Sequence, residues 1–572
     1  MVMYAFDRFV DDVKKAVEAA SGMRIEEEHI STPPNPSLGD LSCTIAFEIA
    51  KQKKRNPKEV AEEIAGKIKK SGLIKEVKTA GPYINFYLDW EDFAEQVLKE
   101  AKDESYGQND SGNGLKVLLE YSQPNPNKPQ HVGHLRNNVL GMAIARILEA
   151  NGYKVVKANL INNRGIAICK AMLGYLKWGH GATPESSGMK ADHFVGKYYI
   201  MFTKKAEEDP SLNEEAQKML QKWEAGDPDV MELWKKIISW AEKGREETYK
   251  MLGTEFDVYF YEEEMYERGK EIVMEALRKG VFKKDESGAV IAPLERYGLP
   301  DKVVLRADGT SIYITNDIAL AYEKLEKFNP DISLYVVAAD HKLYFQQLFK
   351  ILELLDYPIV DKCIHLWYGM VYLPEGKMSS RKGIVVWLDD LVNEVVELAR
   401  YETAKRNPDA DERFIEETAR KIALGAIKFA MLKTDMRRDI YFNKEDAIRF
   451  EGDTGPYVQY AYARANSILK KLGESKTAGN PALLSSREEK ELIMKIAEYP
   501  NVVKKAAEYK PQLIAQYLLD LVHTYSMFYE SCPVLKAADE KLKASRVALV
   551  KAFINVVKNA LSLLGIEAPD RM

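Results

Sequence analysis

One stretch of the chain, from Val117 to Arg146, constrains the fold more than any other. It opens on a short apolar run that is typical of a buried strand, and a loop rich in proline and asparagine follows. From Leu135 the apolar residues recur at the spacing of one helix face, until an Asn-Gly pair at 151–152 ends the pattern. A second apolar run comes next. This order predicts an α/β unit that binds a nucleotide where the loop meets the helix N-terminus.

The loop of this unit carries the sequence His131-Val132-Gly133-His134. Gly133 lets the backbone come close to a flat ring or a phosphate, since it has no side chain. Two imidazoles at the positive end of a helix dipole suit a centre at which negative charge develops. The alternative is that both histidines are ordinary polar residues at the start of a helix, and this pattern alone does not separate the two interpretations.

Length and composition describe an ordinary globular protein with several domains. The 572 residues exceed what one core accommodates, and about three or four domains are expected. Hydrophobic residues make up 46% of the chain and charged residues 30%. No apolar run approaches the roughly 18 residues of a membrane helix. The N-terminus has acidic residues and a helical period, so we expect no signal peptide.

The cysteines and the net charge indicate which metal sites, compartment and partners to expect. The four cysteines are far apart and form no CxxC pair, so neither a structural zinc nor a disulfide framework is expected. A reducing, cytoplasmic location fits this pattern. The net charge of −5 gives no global argument for binding nucleic acid, which must depend on local basic surfaces.

The patterns along the chain predict three domains. Residues 1–112 are expected to form an α+β domain. Residues 113–441 are expected to form a Rossmann-type α/β domain with a parallel sheet. A helix-rich insertion at about 182–253 is expected to interrupt this domain. Residues 442–572 predict an all-α bundle, in which Pro500 is expected to kink or break a helical run.

Two further polar segments follow apolar runs in the α/β region. Ile332–Ala339 is almost continuously apolar, as expected of a strand covered on both faces, and Asp340 and His341 follow at its carboxyl end. Doubly wound sheets bind their ligands at that edge. The loop at 374–383 has three cations and two hydroxyls between two glycines, and it can fold over a polyphosphate. A solvated basic turn is the alternative interpretation.

Together these segments resemble the arginyl-tRNA synthetases, a family of class I aminoacyl-tRNA synthetases. HVGH at 131–134 and KMSS at 377–380 are similar to the two signatures of class I. The segments at 120–136, 308–317 and 451–464 are similar to the arginine-specific members. The N-terminal PPNPSLGDL and the C-terminal LLGIEAPDRM extend the resemblance over nearly the whole chain.

The resemblance implies ligation of L-arginine to arginine tRNA in two steps. Arginine and ATP form arginyl-adenylate, and the 2′-hydroxyl of the terminal adenosine of the tRNA then takes the arginyl group. ATP is expected to bring Mg²⁺ that is held mainly by its phosphates. No membrane contact and a monomeric state are expected. Two alternatives stay open: a tRNA-binding paralogue without catalysis, and a small-molecule adenylyltransferase.

The resemblance also assigns roles to individual positions. The implied catalytic residues are His131, His134 and Lys377. The implied ATP-binding residues are His131, Gly133, His134, His341, Met370, Val371, Lys377, Ser379 and Ser380. The implied arginine-binding residues are Glu120, Gln123, Asn125, Tyr313, Asp317 and Asp340. The implied tRNA-binding residues are Tyr83, Asn85, Tyr457, Tyr460 and Met572. No residue is assigned to a metal.

The chemistry of arginine agrees with these assignments, and one position departs from the class I pattern. A guanidinium needs carboxylates that accept paired hydrogen bonds, which Glu120 and Asp317 can supply. The class I lysine loop usually reads Lys-Met-Ser-Lys-Ser, whereas the second lysine is Ser380 here. Arg381 or Lys382 is expected to replace the missing charge.

Overall fold

The computed structural model describes residues 3–374, 386–472 and 478–572. An antiparallel sheet and four α-helices occupy the first hundred residues. These elements are α1 (Ala5–Ser21), β1 (Ile30–Ser31), β2 (Leu41–Cys43), α2 (Ile45–Lys53), α3 (Pro57–Lys67), β3 (Ile74–Ala80), β4 (Tyr83–Leu88) and α4 (Trp90–Glu100). The strand order is β1-β2-β4-β3. Phe9, Val13 and Val17 lie on one face of α1 and are fully buried, because a spacing of four residues keeps side chains on the same side of a helix.

A five-stranded parallel sheet forms the centre of the molecule, and its strand order is β12-β11-β5-β6-β7. Its strands are β5 (Lys116–Glu120), β6 (Lys154–Ile161), β7 (Val258–Tyr261), β11 (Ile332–Ala338) and β12 (Cys363–Tyr368). Every neighbouring pair runs parallel. The order of the chain reverses between β5 and β11, which is where a Rossmann-type sheet opens a crevice for its ligand. The predicted Rossmann-type sheet is thus confirmed.

Helices and short strands lie between the five strands of this sheet along the chain, and directly after the last one. They are α5 (Val132–Ala150), α6 (Ile166–Trp178), α7 (Pro184–Ser187), α8 (Ala191–Glu208), α9 (Ser211–Glu224), α10 (Pro228–Leu252), α11 (Glu262–Arg278), β8 (Lys283–Lys284), β9 (Val290–Ala292), β10 (Lys302–Leu305), α12 (Tyr313–Phe328), α13 (Lys342–Leu354) and β13 (Val371–Tyr372). Helices α7 to α10 lie between β6 and β7 in the chain, and α6, α8, α9 and α10 share a hydrophobic cluster of their own.

Two features of this region do not follow from the sequence patterns. Val258–Tyr261 is the edge strand β7 of the central sheet, although its four residues are too few for a clear periodic signal. Lys302–Leu305 is a strand, but it pairs antiparallel with β9 in a separate three-stranded sheet.

The remaining elements are mainly helical. They are α14 (Leu388–Arg406), α15 (Glu412–Leu432), β14 (Ile440–Tyr441), α16 (Lys444–Ala447), α17 (Gly455–Leu472), α18 (Arg487–Ala506), α19 (Gln512–Ser531) and α20 (Glu540–Leu563). Of the kink or break expected at Pro500, the break is excluded, because α18 continues through this residue. Proline supplies no N–H to the carbonyl of Ile496, and the hydroxyl of Tyr106 donates to that carbonyl at 3.1 Å. Within the described ranges, no helix has both the length and the apolar composition of a bilayer crossing.

Candidate active site

The candidate residues of the α/β region gather at the carboxyl edge of the parallel sheet. Glu120 is the last residue of β5, and His131 ends the loop that follows it. Asp340 and His341 come directly after β11, the neighbour of β5 in the sheet. The edge is therefore the point of strand-order reversal that the parallel topology predicts as a ligand site.

The two histidines of the loop cap α5 through their Nδ1 atoms. The backbone N–H of Gly133 donates to His131 Nδ1, and the backbone N–H of His131 donates to His134 Nδ1, each at 3.1 Å. A neutral imidazole that accepts at Nδ1 carries its proton on Nε2. Both rings thus keep an Nε2–H donor that the cap does not use.

Burial keeps these imidazoles uncharged at neutral pH. Desolvation, together with the positive charge of nearby Lys128, lowers the pKa of His131 to about 4. Desolvation also puts the pKa of His134 well below its usual value, with His131 and Lys128 acting in the same direction. A side chain at Gly133 would lie 2.8 Å from the ring of His131, so glycine is required for this geometry. The loop offers neutral hydrogen-bond donors.

The backbone at Ser122 and Gln123 is held in a conformation that costs energy. Both residues have positive φ angles, 78° and 47°, which L-residues rarely adopt. The N–H of Ser122 donates to Asn137 Oδ1 at 2.7 Å, and the N–H of Gln123 donates to Asn159 Oδ1 at 3.1 Å. Strain of about 1–3 kcal/mol per residue persists only where the surroundings enforce it, as at ligand sites.

Glu120 lies in a buried ion pair that the sequence patterns did not indicate. Its side chain is 4% exposed, and the ammonium of Lys324 binds one carboxylate oxygen. The side-chain amide of Gln123 donates to the other oxygen at 2.5 Å. Both oxygens of Glu120 therefore have a donor already, and its role toward a guanidinium stays a prediction.

Asp317 is a second carboxylate of this group, and its surroundings disfavour its charge. It lies in the first turns of α12, and the hydroxyl of Tyr344 donates to Oδ2. Burial raises the pKa of Asp317 to about 6, and the negative charge of Glu120 raises it further against the opposing effect of that hydrogen bond. A cation bound beside Asp317 would stabilise the ionised carboxylate and lower its pKa.

Glu262 joins this group, and sequence reasoning missed it. It is the first residue of α11, directly after β7, and is 6% exposed. Its Oε1 accepts from the amide of Asn316 at 2.7 Å, whereas Oε2 is buried with no hydrogen-bond partner among the described residues. Burial raises the pKa of Glu262 to about 7, and the charge of Asp317 adds to the rise. The sequence signal that could have identified Glu262 is the run of three glutamates directly after the apolar VYFY segment.

The other predicted arginine-binding residues are more open to solvent. Tyr313 is 63% exposed at the start of α12, and Asn125 is exposed in the loop after β5. Asp340 Oδ1 and His341 Nδ1 are 2.9 Å apart, and both side chains are more than half exposed. The roles of these four residues stay predictions.

A buried arginine holds the backbone near Met370 and Val371, two of the predicted ATP-binding residues. Arg136 is fully buried and donates to the carbonyls of Gly369, Met436 and Arg438, and more weakly to that of Met370 at 3.4 Å. Its pKa falls to about 10 because of burial. The N–H of Met370 in turn donates to Asp439 Oδ1 at 2.8 Å. The described backbone around Met370 and Val371 is thus fixed from inside the fold.

The predicted lysine-loop residues Lys377, Ser379 and Ser380 lie outside the described residues. The helix that follows, α14, is tied to the histidine loop, because Leu388 N–H donates to Gln130 O at 2.9 Å and Trp387 forms an isolated bridge with His131. These ties place the first turn of α14 beside the histidines.

Asp389 in the same turn binds the helical insertion. Its Oδ2 lies 2.7 Å from Lys190 Nζ and 2.9 Å from His193 Nε2, and its Oδ1 accepts from Thr248 Oγ1 at 3.1 Å. Asp192, His193 and Asp389 lie close enough to share a metal ion. The ammonium of Lys190 already lies between both carboxylates, so the cluster has its cation.

Three of the predicted tRNA-binding residues meet at one cavity. Tyr457, Tyr460 and Met572 line a cavity of about 570 Å³, together with Arg406 and Arg464. The guanidinium groups lie over aromatic rings: Arg406 is 4.0 Å from the ring of Phe450, and Arg464 is 3.6 Å from that of Tyr529. The cavity thus combines aromatic rings with positive charge, the chemistry that binds unpaired bases.

The two predicted tRNA-binding residues of β4 differ in accessibility. Tyr83 is 43% exposed and packs edge-on against Phe47, with ring centroids 5.3 Å apart. Asn85 is 3% exposed, because it lies between β2 and β3 and beneath the loop at Gly39. Of these two side chains, only that of Tyr83 is available at the surface.

Three family models match the chain over most of its length. "tRNA synthetases class I (R), catalytic domain" matches residues 95–444. "Arginyl tRNA synthetase N terminal domain" matches residues 7–88, and "DALR anticodon binding domain" matches residues 458–572. The models follow one another along the chain in the same order as the three structural regions described above.

Proteins called arginine–tRNA ligase are similar to this chain throughout. One from Phocaeicola vulgatus is 41% identical over 564 residues, which cover 92% of this chain and 93% of the relative. One from Treponema denticola is 39% identical, with 97% of each chain covered. The solved structure of Thermus thermophilus arginyl-tRNA synthetase matches with a TM-score of 0.79 at 28% identity, over 98% of this chain and 100% of that chain.

Proposed function

Because the chain belongs to the arginyl-tRNA synthetase family of class I aminoacyl-tRNA synthetases, we propose that the crevice at the sheet edge carries out both steps of its reaction. That reaction is the ATP-dependent ligation of arginine to tRNA. The observation that carries the proposal is a group of buried carboxylates at the same edge as two neutral imidazoles with free Nε2–H groups.

In the first step, the carboxylate of arginine attacks the α-phosphorus of ATP. A bond forms between the carboxylate oxygen and phosphorus, the bond to the bridging oxygen breaks, and pyrophosphate leaves. The nucleophile is already an anion, so no general base is needed, and catalysis depends on positioning and on stabilising charge. His131 and His134 donate their Nε2–H groups to phosphate oxygens, and Lys377 is proposed to neutralise the outer phosphates.

The guanidinium of arginine is proposed to bind between Asp317 and Glu262. Each carboxylate has an oxygen that no donor occupies among the described residues, and burial raises the pKa of both. A guanidinium supplies paired N–H donors and a positive charge, which stabilise both ionised carboxylates. A neutral side chain of similar size would leave these carboxylates unpaired, which provides selectivity.

In the second step, the 2′-hydroxyl of the terminal adenosine attacks the carbonyl of the adenylate, and AMP leaves. The cavity lined by Tyr457, Tyr460 and Met572 is proposed to bind anticodon bases, and Tyr83 is proposed to contact the outer corner of the tRNA. Proteins bind unpaired RNA bases by stacking aromatic side chains on them, and this supports the assignment. We assign residues 1–112, 113–441 and 442–572 as the three domains.

Further proposals concern the metal, the assembly and the compartment. Mg²⁺ is proposed to arrive with ATP and to be held mainly by phosphates. No structural zinc is proposed, because no candidate metal cluster among the described residues contains a cysteine. A monomer is proposed, since one chain supplies the imidazoles and the carboxylates. The four buried free thiols support a reducing compartment, and we propose the cytoplasm.

Arginine-dependent exchange between ATP and pyrophosphate, with and without arginine tRNA, tests the proposal. We expect exchange for arginine alone among the amino acids, and its loss in Asp317→Ala. Glu326→Gln is the matched control, because Glu326 lies on the same helix but pairs with Arg268 at the surface. Tight tRNA binding with no exchange would instead indicate a binding paralogue, and AMP transfer independent of tRNA would indicate a small-molecule adenylyltransferase.

A further inference from the structure

Two tyrosines stack at the surface just beyond the predicted ATP-binding residues Met370 and Val371. β13 pairs in parallel with β14, which sets Tyr372 opposite Tyr441. The ring centroids are 5.2 Å apart and the planes differ by 19°, so the rings are stacked. Tyr441 is 81% exposed, the largest exposed fraction among the large hydrophobic residues of the described chain. The stack therefore presents an open aromatic face rather than completing a core.

The segment that carries Tyr441 is held rigidly by the catalytic region. Ile440 N–H donates to Met370 O at 2.9 Å, and Phe442 N–H donates to Tyr372 O at 2.8 Å. Arg136 binds the carbonyls of Met436 and Arg438 from the buried side. The exposed ring is thus fixed before any ligand arrives, which lowers the entropy cost of binding.

The same segment displays two exposed guanidinium groups, between Asp435 and Asp439 in the sequence. Arg437 and Arg438 are exposed, and neither guanidinium forms a salt bridge with a described carboxylate. The adjacent carboxylate of Asp439 is engaged by the N–H of Met370 at 2.8 Å. The guanidinium of Arg437 lies 5.5 Å from the ring of Trp367 and stays exposed. Exposed guanidinium groups near an open aromatic face match a chain of phosphates with stackable bases.

We propose that the surface formed by Tyr372, Tyr441, Arg437 and Arg438 binds the single-stranded 3′ end of the tRNA. Tyr441 stacks on one unpaired base, and the two arginines contact the neighbouring phosphates. The inference rests on the proposed function, because the terminal adenosine must reach an adenylate held beside Met370 and Val371. Tyr372 directly follows Val371 in the same strand and is paired with Tyr441, so the surface adjoins that position.

The test compares tRNA affinity of variants for intact tRNA and for tRNA without its unpaired 3′ nucleotides. Tyr441→Ala should weaken binding of intact tRNA by about 5- to 100-fold, the range seen when a stacking aromatic residue is removed. It should leave the affinity for the truncated tRNA unchanged. Tyr441→Phe keeps the ring and should bind as the wild type does. Tyr401→Ala is the matched control, since Tyr401 is a 68% exposed tyrosine on α14.

The arginines give a second, independent measurement. Each phosphate contact to a single strand contributes a slope of about 0.7 to the dependence of log affinity on log salt concentration. The double variant Arg437→Gln/Arg438→Gln should therefore show a slope smaller by about 1.4 for intact tRNA and an unchanged slope for truncated tRNA. An equal change for both RNAs would overturn the proposal.

Two further outcomes separate this inference from the proposed function. Loss of ATP affinity in Tyr441→Ala without a change in tRNA affinity would assign the surface to ATP and overturn the inference. If the wild type charges tRNA with arginine and Tyr441→Ala binds both RNAs as the wild type does, the inference fails and the proposed function stands. If the wild type charges no tRNA, the proposed function itself fails.

Discussion

The hydroxyl of Tyr106 donates a hydrogen bond to the backbone carbonyl of Ile496, 390 residues away in the chain. Ile496 lies four residues before Pro500, so its carbonyl lacks the N–H that residue 500 would otherwise donate in α18. Tyr106 is 2% exposed and follows the first, N-terminal set of elements. The hydroxyl of Tyr106, from the N-terminal part of the chain, thus binds the carbonyl of Ile496 in the C-terminal helix α18, which lacks its usual donor because of Pro500.

Tyr106→Phe should therefore loosen α18 by about 1–3 kcal/mol, because a buried carbonyl loses the hydroxyl that replaces its usual N–H donor. Native-state hydrogen exchange of the α18 amides measures this opening free energy. In a Pro500→Ala background, the new N–H of residue 500 can donate to Ile496, and the cost of Tyr106→Phe should fall. Tyr87→Phe is the control, since the hydroxyl of Tyr87 bonds Ser37 O at the surface. Equal costs in both backgrounds would contradict the interpretation.

Arginine affinity should rise with pH between about 5.5 and 7.5. Burial raises the pKa of Asp317 to about 6 and that of Glu262 to about 7, and the bound guanidinium favours their ionised forms. Binding should therefore release protons in this window. In the empty protein both native pKa values exceed the unfolded ones, which are about 4. Stability should therefore fall as pH rises from about 4 through the folded values, and level off above them.

Calorimetric titration of arginine across this pH range measures both affinity and proton release. Glu262→Gln should weaken binding at pH 7.5 and flatten the upper part of the profile. Glu264→Gln changes an exposed glutamate of the same run and should retain the wild-type profile. A profile that Glu262→Gln leaves unaltered would remove this residue from the site.

His131→Asn separates the capping role of this residue from its proposed catalytic role. Asparagine is a good N-cap and can accept from Gly133 N–H, but it has no group at the position of Nε2. We expect the rate of adenylate formation to fall by about 100- to 1,000-fold, as when one preorganised donor is removed. The thermal midpoint should change little.

The pH dependence of the wild type provides a second check on the histidines. Because the pKa of His131 is about 4, no rate change from titration of this ring is expected between pH 6 and 8. A rate that follows a group titrating near 6.5, and that loses this dependence in His131→Asn, would contradict the neutral-imidazole assignment.

Asp389→Asn should destabilise the contact between the insertion and α14 by about 3 kcal/mol, because Lys190 and His193 lose a buried partner charge. His193 and Lys190 lower the pKa of Asp389 against its burial, so its contribution is present above its unfolded pKa. The pKa of His193 is raised: burial is the largest influence and opposes the rise, but the Asp389 hydrogen bond and neighbouring charges outweigh it. Its contribution is lost as pH rises through that value.

Thermal midpoints of wild type and Asp389→Asn, measured from pH 5 to 9, test this network. The difference between the two should be largest near pH 6 and should shrink as His193 loses its proton. Asp390→Asn is the control, because Asp390 is the exposed next residue of the same helix turn. A difference that is constant with pH would exclude His193 from the network.

Much of the site followed from local patterns. The histidine loop and the start of α5 were predictable, because a cap joins residues at most three positions apart. β5 and β11 were readable as apolar runs whose ends carry polar residues. Glu262 escaped prediction, because its strand β7 is four residues long and its partner Asn316 is 54 positions away.

By itself, the sequence determined the strand–loop–helix unit, the two class I signatures and the presence of acidic residues that suit a guanidinium. These features depend on spacings of a few residues, and such spacings are visible in a single chain. Only the tertiary structure decided that Lys324 neutralises Glu120, that Glu262 joins Asp317, and that Tyr106 allows α18 to continue through Pro500. Burial and charge at a site depend on side chains that folding brings together from distant positions in the chain. Local sequence patterns do not predict such long-range contacts.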